Sequence, residues 1–377
     1  MDHGDAPACR IVLMDGTFAS LEAGAGSSIG AIHALVSGGR GAVPQVAGVH
    51  YQPGQQWQGW RTLPALVAGH WLDPAIRAAY GWLARHWRPG EALFLFGYSR
   101  GGIAVCALAE MIAQVGLLRS DHAGPAHVEA AWQLYVSDRG GRLAPGLCHA
   151  HVPVRMIGLF DMVMSPGLRL PLGRGAPRPG PRHARGRIPG NVEHAAHALA
   201  LDETRLAFAP VRCQPGPAAS GAADARTVQM WFRGCHPDIG GQLGAAEGAR
   251  GLSNIPLVWM LSRAEALGLA LPAGWRAHHP CDPDARPVGS WGGWGKIFLS
   301  RRARGAGLIA DEALHPSVPA DYRGPAWLTG ALAGALSGTR AGVGAGGPAG
   351  GWGLRRGRGG RRADLPLPSD ATGAAPA

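Results

Sequence analysis

The stretch Phe94-Leu95-Phe96-Gly97-Tyr98-Ser99-Arg100-Gly101-Gly102 constrains the fold of this chain more than any other. Ala92–Phe96 is a short apolar run behind the Pro89-Gly90 break, of strand length. Ile103–Ile112 is an Ala/Leu-rich run of helical length. Between them, Gly97-Tyr98-Ser99-Arg100-Gly101 fits the pattern G-x-S-x-G, with serine at the apex of a sharp strand-to-helix turn. The glycines have a steric reason: strand and helix approach closely only if the residues on either side of the serine lack a Cβ. Standing alone, the pattern is weak. Set between such a strand and such a helix, it predicts a nucleophilic hydroxyl at Ser99 rather than an ordinary turn.

The rest of the chain alternates in a way that suits this unit. Ile11–Met14 reads as a strand ending in Asp15-Gly16-Thr17, and Ser27 or Ser28 caps a helix over Ile29–Val36. Val46–Tyr51 is β-like. Asp73-Pro74 opens an amphipathic helix with Ile76, Ala79, Tyr80, Leu83 and Trp87 at helical spacing. Ala126–Val136 reads as a helix and Val152–Phe160 as a strand that ends in Asp161. Val192–Leu201 reads as a helix, Thr227–Phe232 as a strand, and Ser253 as the cap of a helix over Ile255–Leu267. The alternation predicts an α/β fold, a mostly parallel sheet flanked by helices. Residues 1–335 read as one domain. Residues 336–377, Gly, Ala and Arg with little to bury, read as a disordered tail. Pro166–Pro189 and Pro215–Ala225 read as loops, the first of a length and composition that could also make a lid.

Composition narrows the function classes. The formal charge of +11 and pI near 10.2 could favour acidic partners. Much of that charge lies in Arg169–Arg187 and the tail, however, with no aromatic interleaving or nucleic-acid motif, so no nucleic-acid partner is expected. Six cysteines without a C-x-x-C pair do not read as a disulfide scaffold. Met1–Arg10 lacks an apolar signal core, and no apolar run reaches the ~18 residues of a membrane span. A cytoplasmic protein is expected, with export by a signal-independent route left open and the oligomeric state unread.

A serine nucleophile needs a base to take its proton and an acid to orient that base. In α/β hydrolases these follow in the order Ser, Asp or Glu, His. Asp161 stands just past an apolar strand, where a carboxylate emerges at the carboxyl edge of a sheet. His236 stands just past the next clear strand, in a glycine-rich loop. His315 also fits the order but has no clear strand before it, which makes it the second choice. Oxyanion donors are expected from the N–H of Arg100 and from Gly16 or Thr17. Asp15-Gly16-Thr17 also suggests haloacid-dehalogenase phosphatases, but their nucleophilic Asp would fall at Leu13. Asp238 suits either a turn or a cation. His194 and His197 are placed one helical turn apart. Neither Cys148, His149 and His151 nor His278, His279, Cys281 and Asp282 have zinc spacing, so no metal or cofactor is expected.

Taken in order, several segments resemble one family, the α/β-hydrolase domain of bacterial type VI secretion phospholipase effectors and of many uncharacterised bacterial and fungal proteins. They are Val12–Thr17, Phe96–Gly101, Gly158–Asp161, His197–Glu203, Trp231–Gly241 and Leu252-Ser253-Asn254 with Trp259-Met260, spanning about residues 10 to 320. The resemblance implies the α/β-hydrolase fold and a Ser–Asp–His hydrolase of lipid or phospholipid esters, with transient contact to a membrane surface. It matches Ser99 to the nucleophile, Asp161 to the acid and His236 to the base. Met162 stands where the family often has Thr, and Pro237 where Ser is usual. The competing expectation is a non-catalytic binding module on the same fold, which would hold Ser99 beyond reach of every histidine.

Overall fold

The computed structural model describes residues 7–38, 44–56, 72–137, 141–149, 151–164, 186–214, 226–291, 300–304, 312–322 and 324. The predicted loop Pro166–Pro189 lies mostly outside them, and Pro215–Ala225 and the tail 336–377 lie wholly outside. In chain order the strands are β1 (Cys9–Met14), β2 (Val46–Gln52), β3 (Ala92–Tyr98), β4 (Leu117–Leu118), β5 (Cys148–His149), β6 (Val154–Phe160), β7 (Val192–Ala200), β8 (Thr227–Phe232) and β9 (Glu312–Leu314). The α-helices are α1 (Ser28–Val36), α2 (Leu72–His86), α3 (Arg100–Val115), α4 (Pro125–Val136), α5 (His236–Gly240) and α6 (Arg250–Ala266).

Among the described residues, seven strands form one parallel sheet in the order β2-β1-β3-β6-β7-β8-β9. Strand alternation sends neighbouring side chains to opposite faces. Val12, Met14, Leu93, Leu95, Ile157 and Leu159 pack with α2, α3 and α4. Ile11, Leu13, Phe94, Phe96, Met156 and Phe160 pack with α1 and α6. Both faces are therefore covered, as a parallel sheet requires. Burial of the aromatic pair Phe94 and Phe96, fully enclosed, is worth roughly 2–3 kcal/mol per side chain.

The register places the functional edge. Met14 pairs with Gly97, Tyr98 with Phe160, Phe160 with Ala198, Ala200 with Phe232 and Trp231 with Leu314. The strands thus end together, and the residues that follow them share one rim. Strand order reverses between β1 and β3, which lie side by side while the chain builds outward from them in opposite directions. Ligand crevices of open parallel sheets form at such a switch point.

Four sequence readings need correction. Val192–Ala200 is a strand, not a helix. Buried in the middle of the sheet, it loses the polar alternation that marks a strand, and its alanines mimic a helix. His194 and His197 therefore do not share a helical face; three positions apart on a strand, they point to opposite sides of the sheet. Ser253 lies inside α6, which starts at Arg250. His315 does follow a strand, the three-residue β9, too short to show a period.

Ser27 is the cap of α1. Its Oγ accepts the Ile29 and Gly30 N–H groups, both at 3.1 Å, and donates to Asp15 Oδ2 at 2.7 Å. Ser27→Ala removes a cap worth about 1 kcal/mol and a donor to a buried carboxylate. A loss of roughly 2 kcal/mol is expected by urea unfolding; a change below about 0.5 kcal/mol would show that neither bond matters.

Candidate active site

Ser99 sits between β3 and α3 with φ 57° and ψ −123°. No side chain favours this backbone region, and strain of this kind costs about 1–3 kcal/mol. Among the described residues, the non-glycine positions with positive φ are Phe18, Ser99 and Asp161, all on the same rim. The two glycines of the pattern make the turn possible. A Cβ at Gly97 would lie 2.5 Å from Gly101 O, and one at Gly101 would lie 2.1 Å from Met14 O. Gly97 lets α3 close onto β3; Gly101 lets it press against the end of β1. The elbow is tied to the next strand by Ser99 N–H donating to Phe160 O at 2.9 Å.

The register then brings three side chains together. His236 Nε2 lies 3.0 Å from Ser99 Oγ, and His236 Nδ1 lies 2.6 Å from Asp161 Oδ2. Ser99 and His236 are each 5% exposed and Asp161 is fully buried. The Tyr98 and Phe208 rings lie 4.9 Å from the imidazole, flanking it. His315 is elsewhere: it stacks on Phe232 at 4.6 Å, and its Nδ1 is 2.8 Å from Ser317 Oγ.

Two supporting side chains were not singled out as functional from the sequence. Arg304 Nη1 donates to Asp161 Oδ1 at 2.6 Å and Nη2 to Oδ2 at 3.1 Å. Oδ1 also accepts the Ala200 N–H at 3.0 Å. Glu203, just past β7, accepts the His236 N–H at 3.2 Å and is itself gripped by Arg205 through Nε at 2.8 Å and Nη2 at 2.6 Å. Glu203 so fixes the backbone that carries the imidazole. Asp238 is a cap rather than a cation ligand: it accepts the Cys235 N–H at 2.9 Å and the Val288 N–H at 2.8 Å. His197 faces inward and accepts the Met162 N–H at 3.0 Å.

On the other side of Ser99, the Asp15-Gly16-Thr17 turn leans on the elbow, with Gly16 packed against Tyr98 and Ser99. Asp15 is buried and holds this turn: it accepts Gly16 N–H at 2.8 Å, Ser27 Oγ at 2.7 Å and Tyr51 OH at 2.9 Å. The Gly16 N–H is thereby engaged. Among the described residues no hydrogen-bond acceptor meets the Thr17 N–H. The Arg100 side chain reaches back to contact Thr17 Oγ1, clamping the turn to the start of α3.

Electrostatics divides the labour. For Asp161, burial works against the charge, but Arg304 and then His236 outweigh it and hold the carboxyl well below its usual range. For His236, burial is the largest influence and lowers the pKa, with Asp161 offsetting only part of it. The resting pair is a carboxylate beside a neutral imidazole, ready to accept a proton at Nε2. Protonation of His236 removes that capacity, so activity should fall as pH drops through its lowered pKa. An acid limb of kcat/KM with a midpoint below the ordinary histidine value of about 6.5 is expected; a midpoint clearly above it would contradict the arrangement.

Among the described residues, no group of three His, Cys, Asp or Glu side chains is placed to hold a metal ion, and no helix is long and apolar enough to cross a membrane.

Residues 10–263 match the family described as T6SS, phospholipase effector Tle1-like, catalytic domain. Uncharacterized protein YEL023C of Saccharomyces cerevisiae is 31% identical over 161 residues, covering 39% of this chain and 22% of that protein. A crystal structure of an uncharacterized protein from Pseudomonas aeruginosa is 15% identical with a TM-score of 0.47, over 76% of this chain and 52% of that one. The structure of the Tle1 effector bound to the VgrG spike from the Type 6 secretion system is 15% identical with a TM-score of 0.31, over 62% and 51% of the two chains. The chain thus spans about half the length of these solved structures and less of the yeast protein. The family match covers more than half of the 377 residues, and the chain belongs to the Tle1-like type VI secretion phospholipase effectors, catalytic domain.

Proposed function

We propose that this protein is a serine hydrolase that cleaves carboxylic esters of lipids, phospholipids above all, through Ser99, His236 and Asp161. The observation that carries the reading is the unbroken line from Ser99 Oγ to His236 Nε2 at 3.0 Å and from Nδ1 to Asp161 at 2.6 Å. A binding module would have no reason to keep this line, nor a strained serine at its head.

The chemistry follows from the placement. Ser99 Oγ attacks the ester carbonyl carbon while its proton passes to His236 Nε2, and Asp161 stabilises the imidazolium through Nδ1–H. The oxyanion is held by the Arg100 and Thr17 N–H groups; loss of one such donor typically costs about 3 kcal/mol at the transition state. The tetrahedral adduct collapses, the alcohol leaves with the proton from Nε2, and the acyl group stays on Ser99. Water then attacks the acyl carbon, giving its proton to Nε2. The second tetrahedral adduct releases the fatty acid and returns the proton to Ser99 Oγ. No cofactor is needed in any step.

Fatty acid release from phosphatidylcholine and phosphatidylglycerol vesicles, beside soluble p-nitrophenyl esters of graded length, tests this. Turnover of phospholipid and of the longer esters is expected. Turnover confined to peptide or thioester substrates would move the enzyme to another acyl class.

The rim of the site suits a lipid substrate. Phe18, next to Thr17, is 46% exposed, Leu21 is 50% exposed, and Leu206, beside Phe208, is 48% exposed. Phe18 follows β1 and Leu206 follows β7, so both lie past strand ends on the rim that carries Ser99. Phe18→Asp with Leu206→Asp should lower the rate on vesicles at least about tenfold, since each exposed apolar side chain contributes roughly 1–2 kcal/mol on leaving water. Rates on short soluble esters should stay within about twofold. Equal loss on both substrates would assign these side chains to the fold instead.

A further inference from the structure

We propose that Arg304 is a positioning residue of this hydrolase: forked across both oxygens of the buried Asp161, it fixes the carboxylate on His236 Nδ1 and supplies its countercharge. The proposal rests on the triad reading above and deepens it.

The geometry is that of a bidentate clamp, with 2.6 Å and 3.1 Å bonds to the two oxygens. A guanidinium fork is the side chain best shaped for this, and a carboxylate held by one is fixed in plane as well as in position. The same guanidinium donates from Nη1 to Ala200 O at 2.9 Å and from Nη2 to Phe208 O. Arg304 therefore ties together the end of β6, the end of β7 and the segment whose Phe208 ring packs on the imidazole. Its side chain is only 5% exposed, so the pair is shielded from solvent and from salt.

Two other carboxylates in the protein show what burial does without such a partner. Asp15 is held by three neutral donors, from Gly16, Ser27 and Tyr51. Asp202 accepts the Gly234 N–H at 2.7 Å and the Tyr322 hydroxyl at 2.8 Å; among the described residues no cationic side chain bonds to its oxygens, and Arg233 acts on it only through space. Burial pushes each of them up to about 6. Neutral donors thus leave a buried acid near the point of protonation. Asp161 is as deeply enclosed, carries Arg304, and lies on the opposite side of its ordinary value.

The remaining titratable and charged groups around the pair do not substitute for Arg304. Glu203 sits under the His236 amide and is matched by Arg205. Tyr98 and Cys235 are buried and held neutral, both pushed well up by burial. Asp238 is engaged by the start of α5 and by Val288. His197, behind Met162, is lowered to about 4 by burial. Among the described residues, Arg304 is the one cationic side chain on an Asp161 oxygen, the neutral His236 being the other side chain there.

Removal of Arg304 has one sign. The Asp161 proton affinity rises because its cation is gone, and that of His236 rises because the freed carboxylate acts on it alone. The second effect sets the acid limb of kcat/KM and moves it to higher pH. The limb follows His236, whose charged form is easier to reach once the cation behind Asp161 is gone, so in Arg304→Met the limb should rise, by up to about one unit. kcat/KM at pH 7 should fall roughly 100-fold through the displaced imidazole. Arg304→Lys keeps the charge but not the fork and should give a smaller upward shift than Arg304→Met.

The experiment is the pH profile of kcat/KM on a soluble p-nitrophenyl ester for the wild-type chain, Arg304→Met and Arg304→Lys, with circular dichroism as the check on folding. A limb that stays put in folded Arg304→Met, whatever the loss of rate, overturns the proposal while leaving the triad intact. Wild-type protein that turns over no ester sinks the triad reading first. If neither variant folds, Arg304 serves the fold rather than the reaction, and the proposal is overturned as well.

Discussion

Asp161→Asn should lower kcat/KM by about 10⁴-fold at neutral pH while leaving the protein folded. Losses of this size follow when the acid of a Ser–His–Asp triad becomes an amide, because the imidazole then adopts the wrong tautomer. The reason here is specific. Oδ1 accepts from Ala200 N–H and Arg304 Nη1, and Oδ2 accepts from His236 and Arg304 Nη2. An asparagine NH₂ in the Oδ1 position would face two donors, and in the Oδ2 position would face Arg304 and Nδ1–H. In the second case the imidazole gives up its Nδ1 proton to become an acceptor, and Nε2 then carries the proton that should be received from Ser99. In the first, the misfit with Ala200 N–H and Arg304 moves the carboxamide off His236. Steady-state kinetics on a soluble ester reads the outcome; a loss under about tenfold would mean that Asp161 orients nothing.

Ser99→Ala should be the larger effect, about 10⁶ in kcat, as for other enzymes in which a triad serine is removed. The change is clean in structural terms. Serine already carries a Cβ at φ 57°, so alanine brings no new backbone strain. The fold loses one hydrogen bond to His236, worth about 1 kcal/mol. Unfolding by urea should therefore stay within roughly 1 kcal/mol of the wild type while hydrolysis disappears. Residual turnover near the wild-type rate would require a different nucleophile.

The parts of this site that could be read in the sequence were those with a local signature. The elbow announced itself because two glycines, a serine, an apolar strand and a helical run all fall within some twenty positions. Each glycine turns out to face backbone, Gly97 against Gly101 and Gly101 against Met14, which is why the spacing is so restrictive. Asp161 and His236 could be singled out because each follows a strand, and a parallel sheet sends strand ends to one rim. β7 was misread because a strand buried on both faces keeps no alternation, and Ala195, Ala196, Ala198 and Ala200 favour a helix locally; pairing with β6 and β8 overrides that preference. Arg304 had no such signal. It lies 143 positions from Asp161, in a chain whose basic residues are nearly all arginine, and only the folded register singles it out. Glu203 stood within a segment shared with the family, yet its hold on the His236 amide depends on β7 and β8 lying side by side.

The most direct measurement is the mass of the intact protein and of its Ser99 peptide after reaction with a fluorophosphonate, which phosphonylates only an activated serine. One adduct per chain, located on Ser99 and lost in His236→Ala, is the expected result. Folded wild-type protein left unmodified, or modified at some other residue, would contradict the assignment of Ser99 as the nucleophile.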